Sequence, residues 1–162
     1  MSNPIKDLGP CSVIFDSADL GATQGGVIFR HTESSKPVNE DQKGVTPVDE
    51  IKTGATCSIE VPLTRTSLGN LAKVVGASSY TGTRLRVKNA TGISLLDNAK
   101  VLILKPIVNG VTSTDSSNWL TIQKAYAKAD FELAYNNEGQ RIYKVIFTAF
   151  PDVNNELWRI GA

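Results

Sequence analysis

Cys57-Ser58-Ile59-Glu60-Val61-Pro62-Leu63 decides how this chain is read. Cys57, Ile59, Val61 and Leu63 fall on one side of an extended backbone, and Ser58 and Glu60 on the other. Successive side chains of a strand point to opposite faces, so this alternation predicts a strand with one face buried and one wet. Pro62 has no N–H to give to a ladder, which predicts an edge or a strand terminus there.

The same period of two recurs on both sides. Upstream, Cys11 to Phe15 is a short β-prone run, followed by the turn-like Asp16 to Gly21. Val27 to Glu33 places Val27, Phe29 and His31 on one face. Downstream, Tyr80 to Asn89 alternates with Leu85 and Val87 inward and Arg84, Arg86 and Lys88 outward. Val101 to Leu104 is apolar on both faces, as in a central strand. Trp119 to Ala125, Ala129 to Tyr135 and Arg141 to Phe150 are three further β-prone segments. Asn136 to Gly139 reads as a hairpin turn between the last two. Pro151-Asp152 stops the final long strand.

One clear helix interrupts the pattern. Thr66 or Ser67 can cap it, Leu68, Leu71, Ala72 and Val75 keep helical spacing, and Gly76 ends it. Ser94 to Ala99 reads as a single helical turn. The expected fold is mainly β, a β-sandwich or open barrel of antiparallel sheets with one flanking α-helix. A length of 162 residues predicts a single domain over 1–162.

Ser34 to Lys52 breaks this economy. It holds charges, prolines and glycine and has no core-forming face, so it is a long exposed loop or an extended hairpin. Loops beyond about 12–15 residues are uncommon in small domains and are usually functional or disordered. Such a segment calls for a partner.

Composition narrows the function. Net charge is +1, from 17 basic and 16 acidic residues, whereas a free-standing nucleic-acid binder is usually clearly basic. Arg84, Arg86 and Lys88 share a face, but no aromatic residues interleave with them to stack bases. Such a trio is more often a solvated or subunit-facing surface. No stretch approaches the roughly 20 apolar residues of a membrane span, so no membrane insertion is expected. Met1 to Leu8 has Lys6 and Asp7 but no apolar region, so no signal peptide is expected and synthesis is expected in a cytoplasm. His31 is the sole histidine, no phosphate-cradling loop occurs, and the carboxylates are scattered. No catalytic residue, cofactor or metal site is therefore expected, because a zinc site needs about four ligands. Cys11 and Cys57 read as two buried thiols or as a disulfide, within one subunit or between two.

Several segments, in order, resemble the phage tail tube proteins of contractile and long non-contractile tails. They are Leu8 to Phe15, Asp19 to Val27, Thr46 to Glu50, Cys57 to Leu63, the Leu68 to Val75 helix, Ser94 to Lys100 and Phe147 to Asp152. No single motif is diagnostic; their order and spacing carry the likeness. The resemblance implies a fold shared with type VI secretion tube proteins. It also implies that six copies join their sheets into a ring and that the rings stack helically around a lumen conducting double-stranded DNA. The virion tail is then the destination, assembled in the host cytoplasm. The implied partners are further copies of the chain, with tail sheath, tape measure, baseplate and tail terminator proteins. Pro37, Asn39, Glu40, Asp41, Lys43, Pro47, Asp49 and Glu50 become the candidate inter-ring contacts. DNA must pass without being held, and phosphate binding grows with the basic residues that meet it. Glu33, Glu60 and Glu132 are therefore better lumen candidates than Arg84, Arg86 or Lys88. A disulfide between Cys11 and Cys57 would stiffen the released particle.

Two other readings compete. One is the tube of a tailocin or type VI-like contractile injection system, which passes no genome. The other is a monomeric β-sandwich binding module, which should expose aromatic platforms, whereas Trp119 and Trp158 sit in or near apolar runs. An enzyme comes last, for want of a convergent acid, base or nucleophile.

Overall fold

A computed structural model describes residues 9–162. The expectation that Met1 to Leu8 is not a signal peptide, and the first residue of the Leu8 to Phe15 motif, fall on residues outside that range. The strands in chain order are β1 (Cys11–Phe15), β2 (Ala18–Asp19), β3 (Ala22–Thr23), β4 (Ile28–Asn39) and β5 (Pro47–Arg65). Helix α1 (Leu68–Val74) follows, then β6 (Ser78–Tyr80), β7 (Leu85–Val87), β8 (Lys100–Val108) and β9 (Val111–Thr112). The chain ends with β10 (Leu120–Ala129), β11 (Tyr143–Ala149) and β12 (Arg159–Ile160). The protein is mainly β, with antiparallel sheets and a single α-helix among the described residues.

The main sheet runs β2-β1-β8-β10-β11-β5-β3. Its two ends are nearly the same piece of chain, because only Leu20 and Gly21 separate β2 from β3. Leu20 N donates to Val13 O at 3.0 Å on one end, and Gln24 N donates to Pro62 O at 3.1 Å on the other. The sheet thus curls until a two-residue corner bridges its first and last strands, which makes an open barrel. Leu20 is fully buried at this corner. Gly21 has φ +101°, and a Cβ there would lie 2.0 Å from Arg65 O, so only glycine fits.

Curling explains the core. Phe15 on β1 and Phe147 on β11 are separated by two intervening strands, roughly 14 Å of flat sheet. Their ring centroids are nonetheless 5.0 Å apart, across the barrel interior. Cys57, Ile59, Val61 and Leu63 share the inner face, as their alternation predicts, and are joined there by Val13, Leu102, Ile122 and Val145.

Helix α1 closes the interior. Ser67 caps it, its Oγ accepting from Asn70 N at 3.1 Å. Asn70 Nδ2 donates to Asp19 O at 2.8 Å and ties the helix to the barrel corner. The helix is shorter than its sequence pattern predicts. It buries Leu71 and Val74, whereas Leu68 at the first turn is exposed.

Four local expectations are corrected. Pro62 is neither an edge residue nor a strand end, since β5 continues to Arg65 and pairs Pro62 with Lys144 of β11. Its carbonyl faces β3, so its N faces the same side, where β4 has ended and β3 has not resumed, and no N–H is needed there. Tyr80 to Asn89 is not one strand but the β6–β7 hairpin, a separate two-stranded sheet; Leu85 turns inward while Val87 is 59% exposed. Of the expected strand from Ala129 to Tyr135, only Ala129 is in a strand, as the last residue of β10. The ladder ends where Asp130 N donates to Lys144 O, and no neighbouring strand continues beside Phe131, which packs edge-on against Tyr143 at 5.2 Å. Asn136 to Gly139 consequently lies within an irregular loop over 130–142 rather than in a tight hairpin.

The polar stretch resolves as an extended hairpin. β4 and β5 stay paired from Ile28↔Glu60 out to Asn39↔Pro47, with a short 3-10 turn at Asp41–Lys43. Beyond Thr32↔Thr56 every residue of this arm but Ala55 is exposed. The free ribbon is seven residue pairs long, from Glu33↔Ala55 to Asn39↔Pro47, and with its turn reaches roughly 25 Å.

Candidate functional site

A two-stranded ribbon alone is marginally stable in water, so the arm needs support at its root. Trp158 supplies it. Its ring packs against Phe29 at 5.1 Å and His31 at 5.5 Å, both edge to face. The indole Nε1 donates to His31 Nδ1 at 3.1 Å. His31 Nδ1 must then be the unprotonated nitrogen, and Nε2–H points to Glu33 Oε1 at 3.4 Å. Lys52 Nζ donates to the same Glu33 oxygen at 2.7 Å. The Lys52 and His31 contacts hold the Glu33 carboxyl below its ordinary range. Further out, Ser35 Oγ donates to Glu50 Oε1 across the ribbon.

All eight candidate inter-ring residues lie on this arm and are exposed. Pro37 and Asn39 are on β4, Glu40 precedes the 3-10 turn, and Asp41 and Lys43 lie in it. Pro47, Asp49 and Glu50 are on β5, with Pro37 opposite Glu50 and Asn39 opposite Pro47. The tip also carries a residue that the sequence reading passed over. Val45 is 97% exposed, and its signal was a lone branched apolar residue between Gly44 and Thr46.

The three candidate lumen acids are not brought together. Glu33 pairs with Ala55 and shares the parity of Cys57 and His31. Glu60 pairs with Ile28 and points from the opposite face, where Lys144 Nζ lies 3.4 Å away. Glu132 is on the irregular loop over 130–142. One smooth surface cannot present both Glu33 and Glu60. The inner face is filled by core, so the outer face carrying Glu60 is the one open to water.

The basic trio stands apart from the main sheet. Arg86 is on β7, Arg84 immediately precedes that strand, and Lys88 immediately follows it. Neither tryptophan forms an exposed platform. Trp119 is half-buried, donates Nε1 to Ser113 O at 3.0 Å and carries Lys105 Nζ 3.9 Å above its ring.

Cys11 and Cys57 are free thiols. Cys57 is 2% exposed within the core, and Cys11 is half-buried on β1. Desolvation raises both thiol pKa values, that of Cys57 to about 11. The buried position of Cys57 leaves it out of reach of a cysteine on another copy. Among the described residues no group of three His, Cys, Asp or Glu side chains could hold a metal ion. No helix in that range is long and apolar enough to cross a membrane.

No protein-family model matches the sequence, and no curated protein matches it significantly.

Proposed function

We propose that this chain is the structural subunit of a phage tail tube, forming hexameric rings that stack helically around a lumen for DNA. One observation carries this reading. The arm extends roughly 25 Å from the body without a core of its own, and its root is pinned in place by Trp158. A costly, aimed projection of this kind gains its stability from another molecule. A contact between one copy's arm and a different surface on the next copy is heterologous, and repeated it builds open filaments rather than closed dimers. Long edge strands such as β4 offer the lateral joint that closes a ring.

The outer sheet face is the one a lumen would use. Its centre carries Ser58, Thr148 and Ile146 with Glu60 paired to Lys144, and Arg30 and Lys128 stand beside Ser58 and Ile146, so Glu60 is its acid among basic neighbours. Glu60 is the lumen candidate that this face supports, and the function is mechanical conduction rather than catalysis.

Negative-stain microscopy of the full chain at high concentration tests the reading. Rings or tubes are expected, and replacing residues 36–50 by Asn-Gly should abolish stacking while leaving the β-rich circular dichroism spectrum. A wild-type protein that remains a monodisperse monomer at high concentration, with its arm resistant to trypsin, would overturn it.

A further inference from the structure

A groove of about 570 Å³ lies between the C-terminal end of α1, the β6–β7 hairpin and the start of β8. Its walls include Phe15, Val75, Ile93 and Ala127, which make an apolar floor. Lys73, Lys88 and Lys100 also line it, against a single carboxylate, Asp16. All three lysines are exposed, and none takes part in an ion pair among the described residues. An apolar floor edged by unpaired cations fits a ligand with an apolar point surrounded by carboxylates.

The arm tip has that pattern. Between Asn39 and Glu50 it carries Glu40, Asp41, Asp49 and Glu50 against Lys43 alone. In their midst stands Val45, almost wholly exposed. We propose that this groove is the seat for the arm tip of a second copy of the chain, with Val45 on the apolar floor and the tip carboxylates facing Lys73, Lys88 and Lys100. The proposal rests on the stacked-ring reading and names the surface that receives the arm.

Strand register makes the contact intermolecular. β5 and β10 are both antiparallel to β11, and β8 is antiparallel to β10. β8 begins at Lys100 opposite Ala125, which lies opposite Ala149, one position past Thr148↔Ser58, so the groove edge at Lys100 stands level with the arm root near Cys57. The arm runs outward from that level as a paired ribbon, so its tip is held away from its own groove and the seat is supplied by another copy. Opposite charges across such a contact steer and register it, and salt weakens it.

Charge reversal tests the seat. One chain carries K73E/K88E/K100E, a second carries E40K/D41K/D49K/E50K, and a third carries both sets. Each single set should cut pelletable polymer at least tenfold at low salt while keeping the wild-type melting temperature within a few degrees, and the combined chain should recover it. Val45→Cys with Ile93→Cys should give an oxidation-dependent ladder of oligomers that neither single variant gives. If wild type polymerises and the groove variant polymerises equally, or the combined chain fails to recover, the seat is wrong and the ring reading stands. If wild type forms no polymer, both fall.

Discussion

Trp158 Nε1 donates to His31 Nδ1 at 3.1 Å, joining residues 127 positions apart at the root of the arm. Trp158→Phe keeps a ring against Phe29 but removes the donor. A neutral hydrogen bond is worth about 1 kcal/mol net, so urea unfolding should show a loss of about that size. Trp158→Ala also removes the ring packing and should cost about 2–4 kcal/mol. Hydrogen exchange should speed most at the β4–β5 amides nearest His31. An unchanged exchange pattern in both variants would remove Trp158 from its supporting role.

Glu33 links the arm root to pH. Lys52 and His31 favour its carboxylate, so its folded pKa lies below the ordinary value. A group depressed in the folded state binds protons less there than in the unfolded chain. Its stabilisation is present above the unfolded pKa and is lost as pH falls through the folded one. NMR titration of the Glu33 carboxyl should show a midpoint below 4.5, and Lys52→Met should move it upward. A midpoint unmoved by Lys52→Met would mean the ion pair does not form in solution.

Cys57 gives the opposite sign. Burial raises its thiol pKa to about 11, so the folded state holds that proton more tightly than the unfolded chain. Its contribution is complete below the unfolded thiol pKa and fades as pH climbs toward 11. Native protein at pH 8 should leave Cys57 unmodified by a maleimide until denaturant is added, and Cys11 should react first. Rapid labelling of Cys57 in the native state would contradict its place in the core.

Gly21→Ala should be among the most damaging single changes. Its added methyl would meet the Arg65 carbonyl at 2.0 Å, on a backbone at φ +101°. Steric overlap with backbone cannot be relieved by a rotamer change, so a loss of more than about 3 kcal/mol is expected. Gly25→Ala has the same sign of φ but open space around it, and should cost less. Similar melting temperatures for the two would show that the corner is looser than drawn.

The strands legible in the sequence were those whose partners impose one buried face. Cys57 to Leu63 reads correctly because β11 flanks it throughout and each alternate residue meets the core. Ala129 to Tyr135 has the same period yet forms no strand beyond Ala129, because periodicity reports a face and not the presence of a neighbour to pair with. Val87 fails for a related reason: alternation within a hairpin that lies off the barrel does not guarantee something to pack against. Pro62 misled because the lost N–H matters only on the side where a ladder exists. The arm was legible as exposed from its charges and prolines. Composition left a loop and an extended hairpin equally open, and it could not place the register shifts at Ser34/Ser35 and Val38/Asn39, since these depend on cross-strand pairing. The groove was invisible, because Lys73, Lys88 and Lys100 come from α1, the end of the β6–β7 hairpin and the start of β8, and only the packing of these three elements gathers them.

The two-residue corner also has a kinetic meaning. β1 pairs with β8 some ninety positions downstream, as in Val13↔Leu104, and β3 pairs with β5 some forty positions downstream, as in Thr23↔Leu63. Such separations make loop closure expensive before any contact repays it, and nucleation slow. Leu20 and Gly21 are therefore the last rivet: substitutions there should accelerate unfolding while leaving the refolding rate nearly untouched, a split that stopped-flow measurements in urea would reveal.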